Sequence, residues 1–533
     1  MGAAVVRDHP SATVVRSSRG RWIIAFTVTL ATFMEILDTS IANVSLPHIA
    51  GGLSASVDES TWVLTSYLVA NAIVLPISGW MAGMIGRKRF YMLCVALFTT
   101  SSLCCGLAPS LGMLVFFRVL QGAGGGGLQP SEQSILADTF PQEEFGMAFA
   151  IYGMAIVLAP AIGPTLGGFI TDHFSWRWIF FINLPVGIIS LLLTNVVVED
   201  PPYLKEQTSL ARRGGVDFTG LVLVALGLGA MQIVLDRGQE DDWLQSHFIL
   251  ALTMISVVAL VCFVFWEIRQ KRPVVDLRLL RNSNFAVTNA MMFSVGIVLY
   301  GSTVLIPQYL QGLMGYSAQL AGMALSPGGF AIIVLMPMMG MMMKKVQARW
   351  LIMIGFLISA AAFYHMSNIT IAIDFRTAMM YRVYQSAGLA FLFVPITTVA
   401  YIGIDPEKSR EVASMINLSR NIGASVGISV VETMLVRRSQ FHQSRMVEGL
   451  NQFAPVFRSR VSNLDALLLH QVPGSGPIPP RVYAQIYGAM QMQAAAQAYV
   501  DLIWLMMIVA IVMAPFALLL RHNDPAHTKM GGH

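Results

Sequence analysis

Two carboxylates, Glu35 and Asp38, lie inside an apolar run that begins at Trp22 and ends near Pro47. The run is long enough to cross a bilayer, which takes about 20 residues. A charge at membrane depth is costly, so it usually faces protein or a water-filled cavity. At 3.6 residues per turn, the two acids share one helix face. The pair predicts a site that binds and releases a proton, or a hydrogen bond that only holds helices together.

A second polar helix face lies in the predicted span 112–137. It carries Arg118, Gln121, Gln129 and Glu132. At 1.5 Å per residue, Asp38 and Arg118 lie about 14 Å and about 9 Å from the same predicted membrane surface, so we expect them to be neighbours. A neighbouring cation lowers the proton affinity of a carboxylate. Glu132 is predicted to be a second titratable group or an end-of-span residue that reaches the interface.

Other polar-tipped residues are candidates to line a substrate cavity. These are Gln121, Gln129, Tyr300, Gln308 and Tyr309. No HExxH, GxSxG or P-loop motif occurs, so a membrane-embedded enzyme and an ATP-driven pump are disfavoured alternatives. We predict no metal site and no catalytic residue. The formal net charge of +5 follows from membrane topology and does not indicate nucleic acid.

The composition is that of a membrane protein. Of 533 residues, 55% are hydrophobic and only 12% are charged, which is too little charge for a soluble protein of this size. We predict an all-α polytopic protein with fourteen transmembrane helices. The predicted spans are residues 22–47, 60–83, 91–108, 112–137, 146–170, 178–198, 217–236, 246–267, 285–311, 320–343, 350–367, 373–401, 412–436 and 499–520.

Positive charge orients the chain. Most of the 34 Lys and Arg residues fall on one side of the predicted membrane, whereas the short segments on the other side hold only Arg177 and Arg237. By the positive-inside rule the first side is cytoplasmic, so we predict cytoplasmic tails at 1–21 and 521–533. Segment 437–498 is then a long external loop, which we predict docks an extracytoplasmic partner or caps the outer mouth.

The chain also repeats itself. The pattern Arg118-x-x-Gln121 of the fourth predicted helix recurs as Arg382-x-x-Gln385 in the twelfth. Such repeats build many transporters, with the substrate site between the halves. The predicted parts are an N-terminal six-helix bundle at 22–198, a linker with two inserted helices at 199–284 and a C-terminal six-helix bundle at 285–520.

The fifth predicted helix is rich in glycine and proline. It carries Pro160, Gly163, Pro164, Gly167 and Gly168, residue types that weaken a helix and thin one face. We predict a deformable hinge face where the two halves rock, with plain tight packing as the alternative.

A short motif follows the second predicted span, with Gly79, Gly86, Arg87 and Lys88. The glycines permit a tight turn at the inner surface, and the basic residues are an ordinary topology signal. We interpret it as a cytoplasmic loop motif. It is not a nucleotide-binding loop, because GxxxxGK[ST] is absent.

Three of these segments resemble one family. The stretch from Leu37 to Pro47 resembles the helix-1 motif of the fourteen-helix drug:proton antiporters of the major facilitator superfamily, the EmrB/QacA type. Arg118-Val-Leu-Gln-Gly resembles their helix-4 motif, and residues 159–168 are similar to their helix-5 antiporter motif. The loop motif departs from the family, which usually has an Asp where Gly83 stands.

The resemblance implies a major facilitator fold, with Asp38 in proton coupling and Arg118 beside it. It implies a proton-coupled antiporter that exports amphiphilic drugs or toxic compounds by alternating access, with the proton gradient as energy source and no cofactor. A dedicated exporter of one endogenous lipid, siderophore or metabolite is the alternative.

The resemblance also implies partners and a cellular location. Expected partners are small amphiphilic substrates, membrane lipids and, in a host with an outer membrane, a membrane-fusion adaptor and an outer-membrane channel. The expected location is the plasma membrane of a prokaryote, which is the inner membrane of a diderm host.

Overall fold

The computed structural model describes residues 18–200, 217–271, 273–371, 373–449, 455, 457–459, 461–464 and 479–521. In this part of the chain the regular structure is helical, without strands. The long helices are α1 Ser18–Leu53, α2 Trp62–Ile85, α3 Arg87–Leu107, α4 with its segments Leu111–Gly125 and Leu128–Thr139, α5 Phe145–His173, α6 Asn183–Val197, α7 Phe218–Arg237, α8 His247–Arg269, α9 Ser283–Gly312, α10 Ala318–Met342, α11 Ala348–Met366, α12 Phe375–Val399, α13 Ser409–Gly449 and α14 Pro479–Met513.

Twelve helices within the described residues are long and apolar enough to cross a membrane. The two long helices that do not qualify, α12 and α13, carry buried polar side chains, among them Arg382, Asn417 and Arg420. Neighbouring helices cover these side chains, so low hydropathy does not make α12 and α13 surface helices. The predicted all-α polytopic fold is confirmed, whereas the count of fourteen spans stays a prediction.

The helices form two bundles. In the first half, α1 contacts α5 and α6, while α2 and α3 contact the first segment of α4. In the second half, α13 contacts α9 and α14, and α12 contacts α10 and α11. The halves meet where α5 packs on α10 and where α2 and the second segment of α4 pack on α13. The inserted helices α7 and α8 pair with each other, and the domain boundaries stay a prediction.

Part of the predicted external segment 437–498 is helical. Helix α13 continues to Gly449 and α14 begins at Pro479; residues 465–478 lie outside the described residues. The 41 residues of α13 extend about 60 Å at 1.5 Å per residue, about twice the hydrocarbon thickness of a bilayer. Arg438 Nε donates to Asp501 at 2.6 Å, so this contact ties α13 to α14.

Candidate functional site

Asp38 lies at the centre of a buried polar cluster in the first half. Arg118 Nη1 is 2.6 Å from Asp38 Oδ2. Gln121 Nε2 donates to Asp38 Oδ1 at 3.1 Å, and Asn183 Nδ2 donates to the same oxygen at 2.7 Å. Asp38 is 2% exposed and Arg118 is 0% exposed. The structure therefore brings together the two residues that helix depth predicted to be neighbours.

Arg118 is also held by groups other than Asp38. Its Nε donates to the backbone oxygen of Val63 at 3.0 Å, and the Tyr67 ring lies 4.3 Å from its Cζ, within range of a cation–π interaction. A Cβ on Gly122 would meet the Tyr67 backbone, so this glycine allows α4 to approach α2. Neutralising Asp38 would consequently leave Arg118 in place without its counter-ion.

Glu35, one turn before Asp38, has a separate set of partners. Its Oε1 accepts hydrogen bonds from Tyr67 Oη at 3.1 Å and from Asn71 Nδ2 at 3.2 Å. Its Oε2 accepts one from Gln129 Nε2 at 2.6 Å. These three partners are neutral, whereas Asp38 contacts a cation. The two carboxylates therefore belong to different clusters, although they share one helix face.

Gln129 connects Glu35 to the second half. Arg420 Nη2, from α13, donates to Gln129 Oε1. Arg420 Nη1 donates to Tyr152 Oη at 3.0 Å, and Tyr152 donates to Asn417 Oδ1 at 2.8 Å. A chain of polar contacts thus crosses the interface between the halves. Sequence reasoning missed this role of Arg420, although a cation within a predicted span is itself a signal of a functional site.

Glu132 is fully buried. It is 0% exposed, and Thr29 donates to its Oε1. The interpretation of Glu132 as an end-of-span residue that reaches the interface is therefore wrong. The second segment of α4 turns this side chain toward α1 instead, and the interpretation as a second titratable group stays a prediction.

The residues predicted to line a substrate cavity differ in their burial and in their contacts. Gln121 and Gln129 are bound to Asp38 and Glu35 and thus belong to the acidic clusters. Tyr309 is 1% exposed and packs edge-on against a tyrosine of α14. Gln308 is exposed, whereas Tyr300 is partly buried. Gln129 and Tyr300 both lie near Arg420 at the contact between the halves, and the assignment of these residues to a substrate cavity stays a prediction.

The glycine face of α5 lies on α1, within the first half. A Cβ on Gly163 would meet Ser40 Oγ, and a Cβ on Gly167 would lie 3.1 Å from Ile41 Cγ2. Helix α5 also continues unbroken through both of its prolines. The prediction that this face lies where the halves rock is therefore wrong for Gly163 and Gly167, which instead allow two helices of one half to approach closely.

The contact between the halves uses other glycines. A Cβ on Gly340 of α10 would lie only 2.7 Å from the backbone oxygen of Gly146 on α5. A Cβ on Gly79 of α2 would lie 3.1 Å from the backbone oxygen of Arg410 on α13. Both contacts are at the predicted cytoplasmic end, so the halves are in close contact there.

The residues of the cytoplasmic loop motif make contacts both within the first half and between the halves. Gly86 ends α2 with a φ of +101°, a backbone conformation that favours glycine. Arg87 forms an ion pair with Asp138, and Asp138 accepts a hydrogen bond from Ser409 of α13 at 3.3 Å. Lys88 Nζ donates to a backbone oxygen of α6 at 2.7 Å. Arg87 therefore contributes to a contact between halves, whereas Lys88 binds within the first half.

A helical bundle in two repeated halves, with ionisable side chains buried at membrane depth, is the architecture of a membrane transporter. Residues 28–428 match the family model of the Major Facilitator Superfamily, and the chain belongs to this superfamily. The structure is similar to that of the MFS proton:xylose symporter XylE bound to 6-bromo-6-deoxy-D-glucose, with a TM-score of 0.60, 15% identity and coverage of 96% of this chain and 98% of that chain. This likeness concerns the fold alone.

Two named relatives are much more similar in sequence. The chain is 37% identical over 465 residues to Multidrug export protein EmrB of Escherichia coli (strain K12). The matched region covers 87% of this chain and 90% of that protein. The chain is 36% identical over 507 residues to Fatty acid resistance protein FarB of Neisseria gonorrhoeae, with coverage of 95% and 96%. The family resemblance predicted from the helix motifs is confirmed, and the chain is a multi-pass membrane transporter rather than a member of an enzyme family.

Proposed function

We propose that this protein exports amphiphilic drugs or toxic compounds in exchange for protons, by alternating access. The buried Asp38–Arg118 ion pair carries the proposal, because an intramembrane acid that faces the bundle interior marks a proton or ion path. The relative named a multidrug export protein supports the substrate class. The proton gradient supplies the energy.

Asp38 is the proton carrier of this proposal. While it is charged, it balances Arg118 and accepts hydrogen bonds from two amide side chains. A proton on Asp38 cancels the charge, and the attraction that holds α1 to α4 at this point weakens. Because Arg118 is also anchored to α2 through Val63, α1 moves relative to the α2–α4 pair when the proton binds.

Glu35 passes a change of charge to the second half. Arg420 reaches the Glu35 cluster through Gln129, so a charged Glu35 attracts this cation of α13 and a protonated Glu35 attracts it less. Protonation therefore weakens the contact between the halves near the predicted cytoplasmic end and favours its opening. Glu132 is a second group that can load a proton in the same region.

A second candidate function is the dedicated export of one lipid. The relative at 36% identity that is named a fatty acid resistance protein favours it. Both functions use the same proton machinery and differ only in which amphiphiles enter the substrate site.

Transport by the purified protein in proteoliposomes tests the proposal. An imposed pH gradient without ATP is expected to drive uphill transport of a fluorescent amphiphilic cation, and a proton ionophore is expected to abolish it. Transport that requires ATP, or that continues uphill with the ionophore present, would overturn it.

We further propose that the protein lies in the plasma membrane of a prokaryote with both termini cytoplasmic. The excess of Lys and Arg on one side supports this orientation. A reporter fused after His533 is expected in the cytoplasm and one inserted near Gly474 outside. A cytoplasmic signal at Gly474 would contradict the orientation.

The paired ends of α13 and α14 are our proposed docking site for an extracytoplasmic adaptor that leads to an outer-membrane channel. Val447, Tyr483 and Tyr487 are exposed on these ends, which supplies an apolar contact surface. Deleting residues 445–485 is expected to impair export in cells and to spare transport in proteoliposomes. Equal loss in both settings would favour a cap over the outer mouth.

A further inference from the structure

The second half contains a buried arginine whose counter-ion the described residues do not supply. Arg382 of α12 is 1% exposed, and in the described part of the chain no charged group pairs with it. Its Nη1 donates to Gln385 Oε1 at 2.7 Å, whereas its Nε is buried without a hydrogen-bond partner. A buried charge that lacks a partner is costly, and an ionisable residue inside a membrane bundle indicates a functional site.

The internal repeat shows which group is missing. In the first half, Arg118 donates to Gln121 at 2.8 Å and Gln121 donates to Asp38. In the second half, Gln385 occupies the position of Gln121 and donates to Ser302 Oγ. Ser302 therefore stands where Asp38 stands in the first half, so a neutral hydroxyl replaces the carboxylate that balances the arginine.

Two side chains of α12 that carry a donor without a described partner pack against one turn of α10. Among the described residues, Ser386 Oγ is buried without a hydrogen-bond partner, as is Arg382 Nε. A Cβ on Gly328 would lie 2.6 Å from Arg382 Cγ and 2.6 Å from Ser386 Oγ, so both side chains face the same turn of α10. Guanidinium N–H and hydroxyl O–H groups are donors that a carboxylate accepts, and the guanidinium bond is charge-assisted.

Helix α10 contains a proline next to this turn. Pro327, which precedes Gly328, lies inside the helix, where a proline removes a backbone hydrogen bond and introduces a kink. A ligand reaches the two donors only when this turn of α10 moves away from them, because a Cβ on Gly328 would already lie 2.6 Å from both side chains.

We propose that Arg382 and Ser386 bind the carboxylate of an anionic amphiphilic substrate, such as a medium-chain carboxylic acid. The substrate supplies the negative charge that Ser302 does not, and its acyl chain lies among the apolar helices. This inference rests on the proposed export function and places a substrate group in the second half, whereas the proton groups lie in the first. A small inorganic anion carries the same charge, so the experiment must separate the two sources.

Ligand binding to the full-length protein in nanodiscs tests the site. Decanoate is the anionic probe, decanol and decyltrimethylammonium are its neutral and cationic counterparts, and the buffer is free of chloride. We expect Arg382→Gln to weaken decanoate binding at least tenfold and to leave decyltrimethylammonium binding unchanged. Binding is read directly by titration calorimetry, with the unfolding midpoint as a check of folding.

Ser302→Asp supplies a test that does not remove the arginine. It recreates the charge arrangement of the first half, so it is expected to preserve the fold, satisfy Arg382 and weaken decanoate binding at least tenfold. Ser302→Asn is the matched control, because it adds similar bulk without charge and is expected to retain decanoate binding.

Two results would overturn the proposal. One is equal decanoate binding by the wild type and Ser302→Asp. The other is full protection of the unfolding midpoint by chloride with no competition from decanoate, which would assign the site to a small inorganic anion. Because binding is measured without transport, decanoate binding without pH-driven export would refute the proposed function and leave this site standing.

Discussion

Asp38→Asn is expected to abolish proton-driven export and to destabilise the protein for one identifiable reason. The amide keeps the size of the side chain and still accepts a hydrogen bond from Gln121, but it cannot titrate and no charge opposes Arg118, which is 0% exposed. Removing one partner of a buried ion pair costs about 3–5 kcal/mol. We expect about 3 kcal/mol, the lower end of that range, because Val63 still accepts a hydrogen bond from the arginine.

A double-mutant cycle separates the ion pair from general damage. Arg118→Met should destabilise the protein by leaving Asp38 charged, buried and without a cation. The variant that carries both changes has no unmatched charge, and replacing a buried pair by apolar or neutral groups is often close to neutral. We therefore expect a coupling energy of about 2–3 kcal/mol from unfolding in detergent.

Export is measured in parallel in proteoliposomes with an imposed pH gradient, and substrate binding is measured without a gradient. Asp38→Asn should retain binding and lose uphill export, and Asp38→Glu should retain part of both. Uphill export by Asp38→Asn would refute Asp38 as the carrier and move that role to Glu35 or Glu132. Additive stability losses in the cycle would refute the ion-pair account.

Three further predictions concern the contact between the halves. Gly340→Leu places a side chain against the α5 backbone, so a cysteine probe at the predicted cytoplasmic end should be labelled faster. Gly312→Leu is the control, because the space around its Cβ position is open. Gly83→Asp places a carboxylate beside Arg410, because Arg410 Nη1 lies 3.3 Å from the Gly83 Cβ position. This variant should slow export by holding the cytoplasmic end closed, whereas Gly83→Asn should not slow it. Arg420→Gln removes the charge that reaches the Glu35 cluster and should abolish uphill export with binding retained; wild-type export would contradict this role.

Most helices could be predicted because each is a long apolar run with polar ends. The His247–Arg269 helix, for example, follows from hydropathy alone. The polar end of α13 has no hydropathy signal, because no bilayer selects its residues. It stays helical beyond the predicted span beside α14, tied through Arg438 and Asp501, and such a contact between distant segments leaves no periodic signal in either one.

The part of the candidate site that depends only on depth along a helix was predictable from the sequence. Asp38 and Arg118 could be paired from their depths along two helices. Rotation of a helix about its axis is set by all of its neighbours together, so the sequence did not show that Gly163 faces α1. Asn183 carried no signal, because a single amide in an apolar span is as often interhelical glue as part of a site.

The position of α4 bears on the proposed coupling between proton and substrate. Asp38 is 2% exposed and its partners surround it, so a bulky substrate does not reach it directly in this arrangement. The first segment of α4 carries Arg118, and the helix is interrupted at Gly126–Gly127. The second segment carries Gln129, which accepts a hydrogen bond from Arg420. In the proposed mechanism, a shift of α4 relative to α1 on protonation of Asp38 moves the residue that contacts the other half. Coupling through this one helix requires no shared binding site, since two ligands that favour different arrangements of α4 compete through its conformation.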